Sequence, residues 1–286
     1  MASLKGIKTR ISSVDSTKKI TSAMKMVASA KLRKAQKNIE TFLPYELKLN
    51  EMLNCFLSAE ENVKSVYTEQ RELNRIAIVA ISSNSSLCGA FNSIVIKKAT
   101  QLIEQYSQQL GRENVEVFSV GKKITDAVKK LGFVPTENYD YLVDKPTYED
   151  AVTFAERLVT LFAENKVDQI VFVYQHFKSS AVQQLIAEKY LPLSLSFSAE
   201  KKESIEYILE PNREHILGLL LPKVLRLKVY TMLLDSIASE QAARTLAMQI
   251  ATDNAEKLLE ELTIQYNKGR QQAITNELLD IMGGQQ

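Results

Sequence analysis

The sequence predicts an α+β protein in which long N- and C-terminal helices form an antiparallel coiled coil and a smaller open α/β domain lies between them. Three observations predict it. Glycine and proline, nine and six of 286 residues, fall below their usual abundance and concentrate between positions 75 and 222. The flanking stretches carry apolar residues at spacings of three and four, the helical period. The middle changes to short charge-poor runs bounded by turn residues, the signature of buried strands.

The first element, an N-terminal coiled-coil helix over 1–58, has neither glycine nor proline between 7 and 43. Leu4, Ile7, Ile11, Val14, Ile20, Met24, Val27, Ile39 and Phe42 draw an apolar stripe along it. The rest of its surface is basic: residues 1–40 hold ten Lys or Arg against Asp15 and Glu40. The central domain, 75–210, opens with the run Ile76–Ile81, a Ser/Asn turn and a helical stretch over 91–110. A strand at 115–120, helices at 122–131 and from after Pro146 to 164, and a strand at 170–174 follow, with weaker strand candidates at 182–191 and 204–209. Strands alternating with helices predict a Rossmann-like α/β layer. The last element, over 212–286, contains only Gly269 as a breaker between 223 and 282, and as one helix that stretch would reach about 90 Å. A helix of that length needs a partner.

Pro44 and Pro222 suggest a register. If both mark where the arms enter the central domain, partners in the two helices sum to about 266 and the C-terminal arm projects about 21 residues beyond the first. That register brings Ser22, Ala23, Ala28, Ser29 and Ala30 against Ser236, Ala238, Ser239, Ala242, Ala243 and Ala247, and leaves Ile274, Leu278, Leu279, Ile281 and Met282 unpaired. An apolar stripe without an intramolecular partner calls for a groove in another protein.

Composition removes several chemistries. Cys55 and Cys88 make no CxxC pair and Cys88 reads as a small buried apolar residue; His176 and His215 are too few for a multi-histidine metal cage, so no metal site is expected. No apolar signal-peptide core follows the start, and Ser82–Ser86, Asn92 and Ser93 break the charge-free run from Ile76 to Ile96, so a soluble chain is expected. A nucleotide-binding enzyme is the first competing reading, but no glycines are spaced as GxG or as a phosphate loop, so no cofactor is expected. A nucleic-acid or acidic-membrane binder is the second. Against it, net charge is only +2 and residues 1–40 lack any Phe, Tyr or Trp to stack on bases.

Longer motifs point to a family. Ile11-Ser12-Ser13-Val14, the run from Thr17 through Lys18-Lys19-Ile20-Thr21-Ser22-Ala23-Met24-Lys25-Met26-Val27 to Ala28, and Lys31-Leu32-Arg33-Lys34-Ala35 resemble the first helix of the gamma subunit of F-type ATP synthases. Ala238-Ser239-Glu240-Gln241-Ala242-Ala243-Arg244, Met248, Ala251-Thr252-Asp253-Asn254-Ala255, Tyr266-Asn267, Arg270-Gln271 and Ile274-Thr275-Asn276-Glu277 are similar to that family's far end. The resemblance spans both termini without a large insertion.

What it implies is a rotor shaft without a catalytic site or cofactor of its own. Its implied partners are the alpha and beta subunits of a catalytic hexamer, the small epsilon subunit and a ring of membrane c subunits, with no nucleic acid, at the cytoplasmic face of the cell membrane. Met24, Lys25, Arg33, Arg244, Arg270, Gln271, Thr275 and Glu277 are the implied contacts to the catalytic ring, and Tyr207 and Glu210 those to the membrane ring. Some of the cations Lys18, Lys19, Lys25, Lys31, Arg33, Lys34 and Lys37 are implied to meet an acidic loop; the plainer expectation for such a run is a solvated face. The chain departs from the family at Asn84, Ser85 and Ser86, where an acid, Arg and Gly are common, at Leu209, where an aromatic is usual, and at Gly269, where Ala is usual. The paired regulatory cysteines of the chloroplast form are absent.

Overall fold

The computed structural model describes residues 4–58, 65–135, 137–193, 210 and 212–283. The strand candidate at 204–209, Tyr207 and Leu209 lie outside them, as does the side chain of Cys55. Its elements are α1 (Leu4–Ser58), β1 (Ile76–Ile81), α2 (Phe91–Leu110), β2 (Val115–Val120), α3 (Lys122–Lys130), α4 (Tyr148–Ala163), β3 (Gln169–Phe177), β4 (Gln183–Leu191) and α5 (Arg213–Gly283), with short 3-10 turns at Arg112–Asn114 and Asp140–Val143. Two compact units result: Met1–Ala30 with Arg244–Gln286, and Lys31–Ala243.

In the larger unit the sheet runs β2-β1-β3-β4, parallel across its first three strands and antiparallel at β4. All six residues of β1 are buried because both faces of this central strand are covered. Ile76, Ile78 and Ala80 face α2 and α3 through Val95, Ile103 and Ile124. Ala77, Val79 and Ile81 share the other core with Phe154 and Leu158 of α4 and Leu225, Val229 and Leu233 of α5. Local chemistry starts the helices: Thr147 and Asp150 form a reciprocal capping box at α4, and the Asn212 side chain accepts from the His215 N–H at α5.

The prolines do not mark boundaries. Pro44 lies inside α1 and Pro222 inside α5, so the expected register, which took both as points of entry, is wrong. In the smaller unit Lys18 meets Glu256, Thr21 meets Thr252, Lys25 meets Gln249 and Leu4 leans on Gly269, pairs whose numbers add to 273 or 274. In the larger unit Leu32 and Ala35 pack with Ala238 and Ala242, and Phe42 meets Tyr230 edge-on at 5.1 Å between centroids. The close packing of small side chains brings Ala35 against Ala238 and Ala242, and of the expected Ser22–Ala30 segment Ala28 is buried as well. Among the described residues the last pairing is Gly269 with Leu4, and α5 runs on from 271 to 283, about 20 Å.

The seam of the smaller unit alternates by three and four: Leu4, Ile7, Ile11, Val14, Lys18, Thr21, Lys25 and Ala28 on α1, and Met248, Thr252, Ala255, Leu259, Leu262, Tyr266 and Gly269 on α5. That is the seven-residue repeat of a left-handed coiled coil. Three of its α1 positions are polar, so an apolar stripe followed by eye drifts to neighbours. Ile20 and Val27 accordingly stand 60% and 58% exposed instead of on the seam.

Candidate functional site

Outward-facing surface dominates the candidate residues of the smaller unit. Arg270, Gln271, Thr275 and Glu277 are exposed on α5, and the Thr275 hydroxyl donates to the Gln271 carbonyl of its own helix at 2.9 Å. Around them Ile274, Leu278, Leu279, Ile281 and Met282 are 47–74% exposed, an apolar face with no partner among the described residues. Met24 and Lys25 are half-buried instead, and Lys25 Nζ donates to Gln249 Oε1 at 2.6 Å. Arg244 is only 8% exposed. In the larger unit Arg33 and Glu210 are exposed, while Tyr207 lies outside the described residues.

The basic face of α1 is narrower than its composition suggests. Lys18 Nζ bonds Glu256 Oε1 at 2.6 Å, and that hydrogen bond outweighs desolvation to hold the ammonium above its ordinary range. Lys19 pairs with Asp15 one turn back at 2.7 Å. Lys31, Arg33, Lys34 and Lys37 are exposed in the larger unit. Among those, charge is available to a partner.

At the carboxyl end of β1, where an α/β layer can host a phosphate, the helix N-terminus is already occupied. The first three N–H groups of α3 donate to Asn84 Oδ1, the Ser83 carbonyl and Ser82 Oγ, at 2.9, 3.2 and 2.9 Å. Gly121 permits this approach: with φ of +103°, a Cβ there would lie 2.3 Å from the Ser82 carbonyl oxygen. Asn84 also donates through Nδ2 to the Asp140 carbonyl at 2.8 Å and to Asp144 Oδ2 at 3.1 Å. A carboxylate could accept from α3 but could not make those two donations. The asparagine thus has a structural use of its own where an acid is common. Cys88 is buried here, with Asn92 Nδ2 donating to its sulfur at 3.1 Å. Among the described residues no group of three or more His, Cys, Asp or Glu is placed to hold a metal ion, and no helix is long and apolar enough to cross a membrane.

Sequence alone gave His176 no role, and it did not single out Asp235. They meet at 2.5 Å, and Asp235 Oδ1 also accepts the Phe177 N–H at 2.7 Å. No periodicity announces a pair 59 positions apart. The resemblance pointed to Ser239 only as part of a motif; its hydroxyl donates to the Gln175 carbonyl at 2.9 Å.

Comparisons with known proteins cover the whole chain. The family model described as ATP synthase matches residues 3–286. The ATP synthase gamma chain of Bacteroides fragilis is 56% identical over 288 residues, covering 99% of both chains, and that of Phocaeicola vulgatus is 54% identical over 289, again covering 99% of each. Among solved structures, a chain of the Euglena gracilis mitochondrial ATP synthase, OSCP/F1/c-ring in rotational state 3, aligns with a TM-score of 0.66 at 20% identity over 98% of this chain and 93% of that one. It shares the fold of paired terminal helices around a mixed sheet. The two long helices, the sheet between them and a sequence match running from end to end agree on one conclusion: the chain belongs to the ATP synthase gamma-chain family.

Proposed function

We propose that the chain is the central rotor shaft of an F-type ATP synthase, coupling ion flow through a membrane ring to ATP synthesis or hydrolysis in a catalytic hexamer. Membership of the gamma-chain family supports a subunit of that complex. The observation that carries the shaft reading is the unequal helix pair of the smaller unit, where α5 runs on from 271 to 283 with its apolar side chains bare. Nothing in such a surface performs covalent chemistry. What it supplies is unequal contact: a rotating, asymmetric helix pair shifts the conformational equilibrium of each surrounding site only by touching its alternative states differently.

In this reading Arg33, Arg270, Gln271, Thr275 and Glu277 meet the alpha and beta subunits, with the arginines suited to planar bidentate pairing. Met24, Lys25 and Arg244 contribute to contacts with the same subunits from positions partly or wholly engaged within the chain. Glu210 and Tyr207 face the ring of c subunits, and the small epsilon subunit binds beside the sheet, at the cytoplasmic face of the cell membrane. Exposed ion pairs are screened by salt and steer more than they hold, so steric shape transmits the force. The full-length match to this family and the inward engagement of Lys18 and Lys25 favour it over a nucleic-acid or membrane-surface binder.

Purification of the native chain from detergent-solubilised membranes tests the proposal. It is expected to elute with an ATP-hydrolysing hexamer of two alternating large subunits. Elution alone, or with nucleic acid, would refute it.

A further inference from the structure

The grip between β3 and α5 lies wholly within the larger unit and has a geometric origin in the sheet. The register of β1 with β3 ends at Ala80–Val173, yet β3 continues to Phe177 with β4 on its other side. Past Val173 the groups that would have paired with β1 face an empty edge. In a strand, alternate residues aim their backbone groups at the same edge, so Gln175 and Phe177 share that side. The side chains of α5 fill it. Ser239 Oγ donates to the Gln175 carbonyl at 2.9 Å, and Asp235 Oδ1 accepts from the Phe177 N–H at 2.7 Å. Asp235 and Ser239 are four residues apart, hence one turn apart on one face of the helix.

Each partner is fixed in turn. Asp235 Oδ2 bonds His176 Nδ1 at 2.5 Å, which accounts for the second oxygen of a carboxylate only 16% exposed. The Gln175 side chain donates to the Phe91 carbonyl at 2.8 Å, reaching the first turn of α2. Ten residues before Asp235, the Leu225 carbonyl accepts from Tyr190 Oη of β4 at 3.1 Å. The other contacts of this stretch of α5 are apolar, through Val229, Met232 and Leu233, or partly exposed ion pairs on long flexible arms. Those pairs are Lys228 with Glu188 of β4 at 3.7 Å and Arg226 with Glu156 of α4 at 2.9 Å. Apolar packing is strong but non-directional, and a helix held by it alone can roll about its axis. Hydrogen bonds weaken steeply as their angle departs from linearity. Two of them on successive turns set the angle at which α5 meets the sheet.

We propose that Asp235 and Ser239 are positioning residues for rotary coupling: they key α5 to the uncovered end of β3, so that this part of the helix and the sheet turn as one body. The proposal rests on the rotor reading above. It concerns neither the rod tip nor contacts to other subunits.

The test compares ion-driven ATP synthesis with ATP hydrolysis in membrane vesicles carrying the assembled complex. Replacing both residues, Asp235→Leu with Ser239→Ala, is expected to leave hydrolysis within about twofold and to lower the synthesis-to-hydrolysis ratio about fivefold or more. Asp235→Asn with Ser239→Thr, which keeps an oxygen at each position, is expected to restore the ratio. A double variant that melts earlier but keeps the wild-type ratio would overturn the proposal, because a purely structural contact predicts that pattern. If the double variant does not assemble, Ser239→Ala alone decides by the same ratio: a fall supports the key, an unchanged ratio refutes it. Failure of the wild-type chain to support synthesis would instead refute the rotor reading itself.

Discussion

Glu46 lies part-buried on α1, beside Thr231, Lys228 and Asp235 of α5 and Glu188 of β4. Burial raises its pKa; the Thr231 hydroxyl and Lys228 pull it down, and Glu188 and Asp235 push it further up. Tyr174 Oη donates to Glu188, and His176 engages Asp235, so the neighbouring carboxylates are themselves held in place. An acid whose folded pKa is raised contributes stability that is fully present below its unfolded pKa and is lost as pH rises through the folded value. Glu46→Gln removes that loss. The variant is expected to melt higher than wild type at about pH 8, with the gap closing by about pH 4. Melting curves at the two pH values check it; a gap that widens on acidification would contradict the burial account. Asn84 belongs to the same scale: its departure from the family was visible in the sequence, but the donations to Asp140 and Asp144 that use its amide were not.

Among the elements, α1 and α5 show how a seam can hide in plain composition. Lys18, Thr21 and Lys25 occupy inner positions because Glu256, Thr252 and Gln249 receive them across the interface. Polar residues at seam positions are tolerated when each finds a partner, and they favour one register over its neighbours. Gly269 sits on the same seam opposite Leu4 rather than in the unpaired end, contrary to the sequence-based expectation. A Cβ at this position would come 3.2 Å from Leu4 Cδ2, the far end of a flexible side chain near the helix start. Gly269→Ala removes a helix penalty of about 1 kcal/mol, and Leu4 can give by a few tenths of an ångström, so a net stabilisation below that figure is expected. Amide exchange around residue 269 in the full chain measures it. Faster exchange in the variant would show that Leu4 cannot move aside.

For the whole molecule the consequence lies in what the helix pair leaves uncovered. Deleting residues 271–286 removes the stretch of α5 beyond Leu4 and no contact in the larger unit. The sheet should therefore melt unchanged, while coupled synthesis in the assembled complex falls about tenfold through lost differential contact. Unaltered synthesis would leave the exposed Leu278, Leu279 and Ile281 without a use in coupling. Burial explains why the sheet should tolerate the change: its two cores are closed by α2 and α3 on one face and by α4 and the 225–234 stretch of α5 on the other.

The sequence by itself determined the elements and the family. A charge-free β-branched run such as Ile76–Ile81 can hide only as a covered strand, and two breaker-poor amphipathic stretches can persist only as paired helices, because these preferences act over a few neighbouring residues. The tertiary structure decided the register, the fate of Pro44 and Pro222 inside their helices, and the meeting of Asp235 and Ser239 with the end of β3. Those outcomes depend on which residues share a surface after the chain has doubled back on itself. Register is a sum of many small contacts between distant positions, and no local pattern contains that sum.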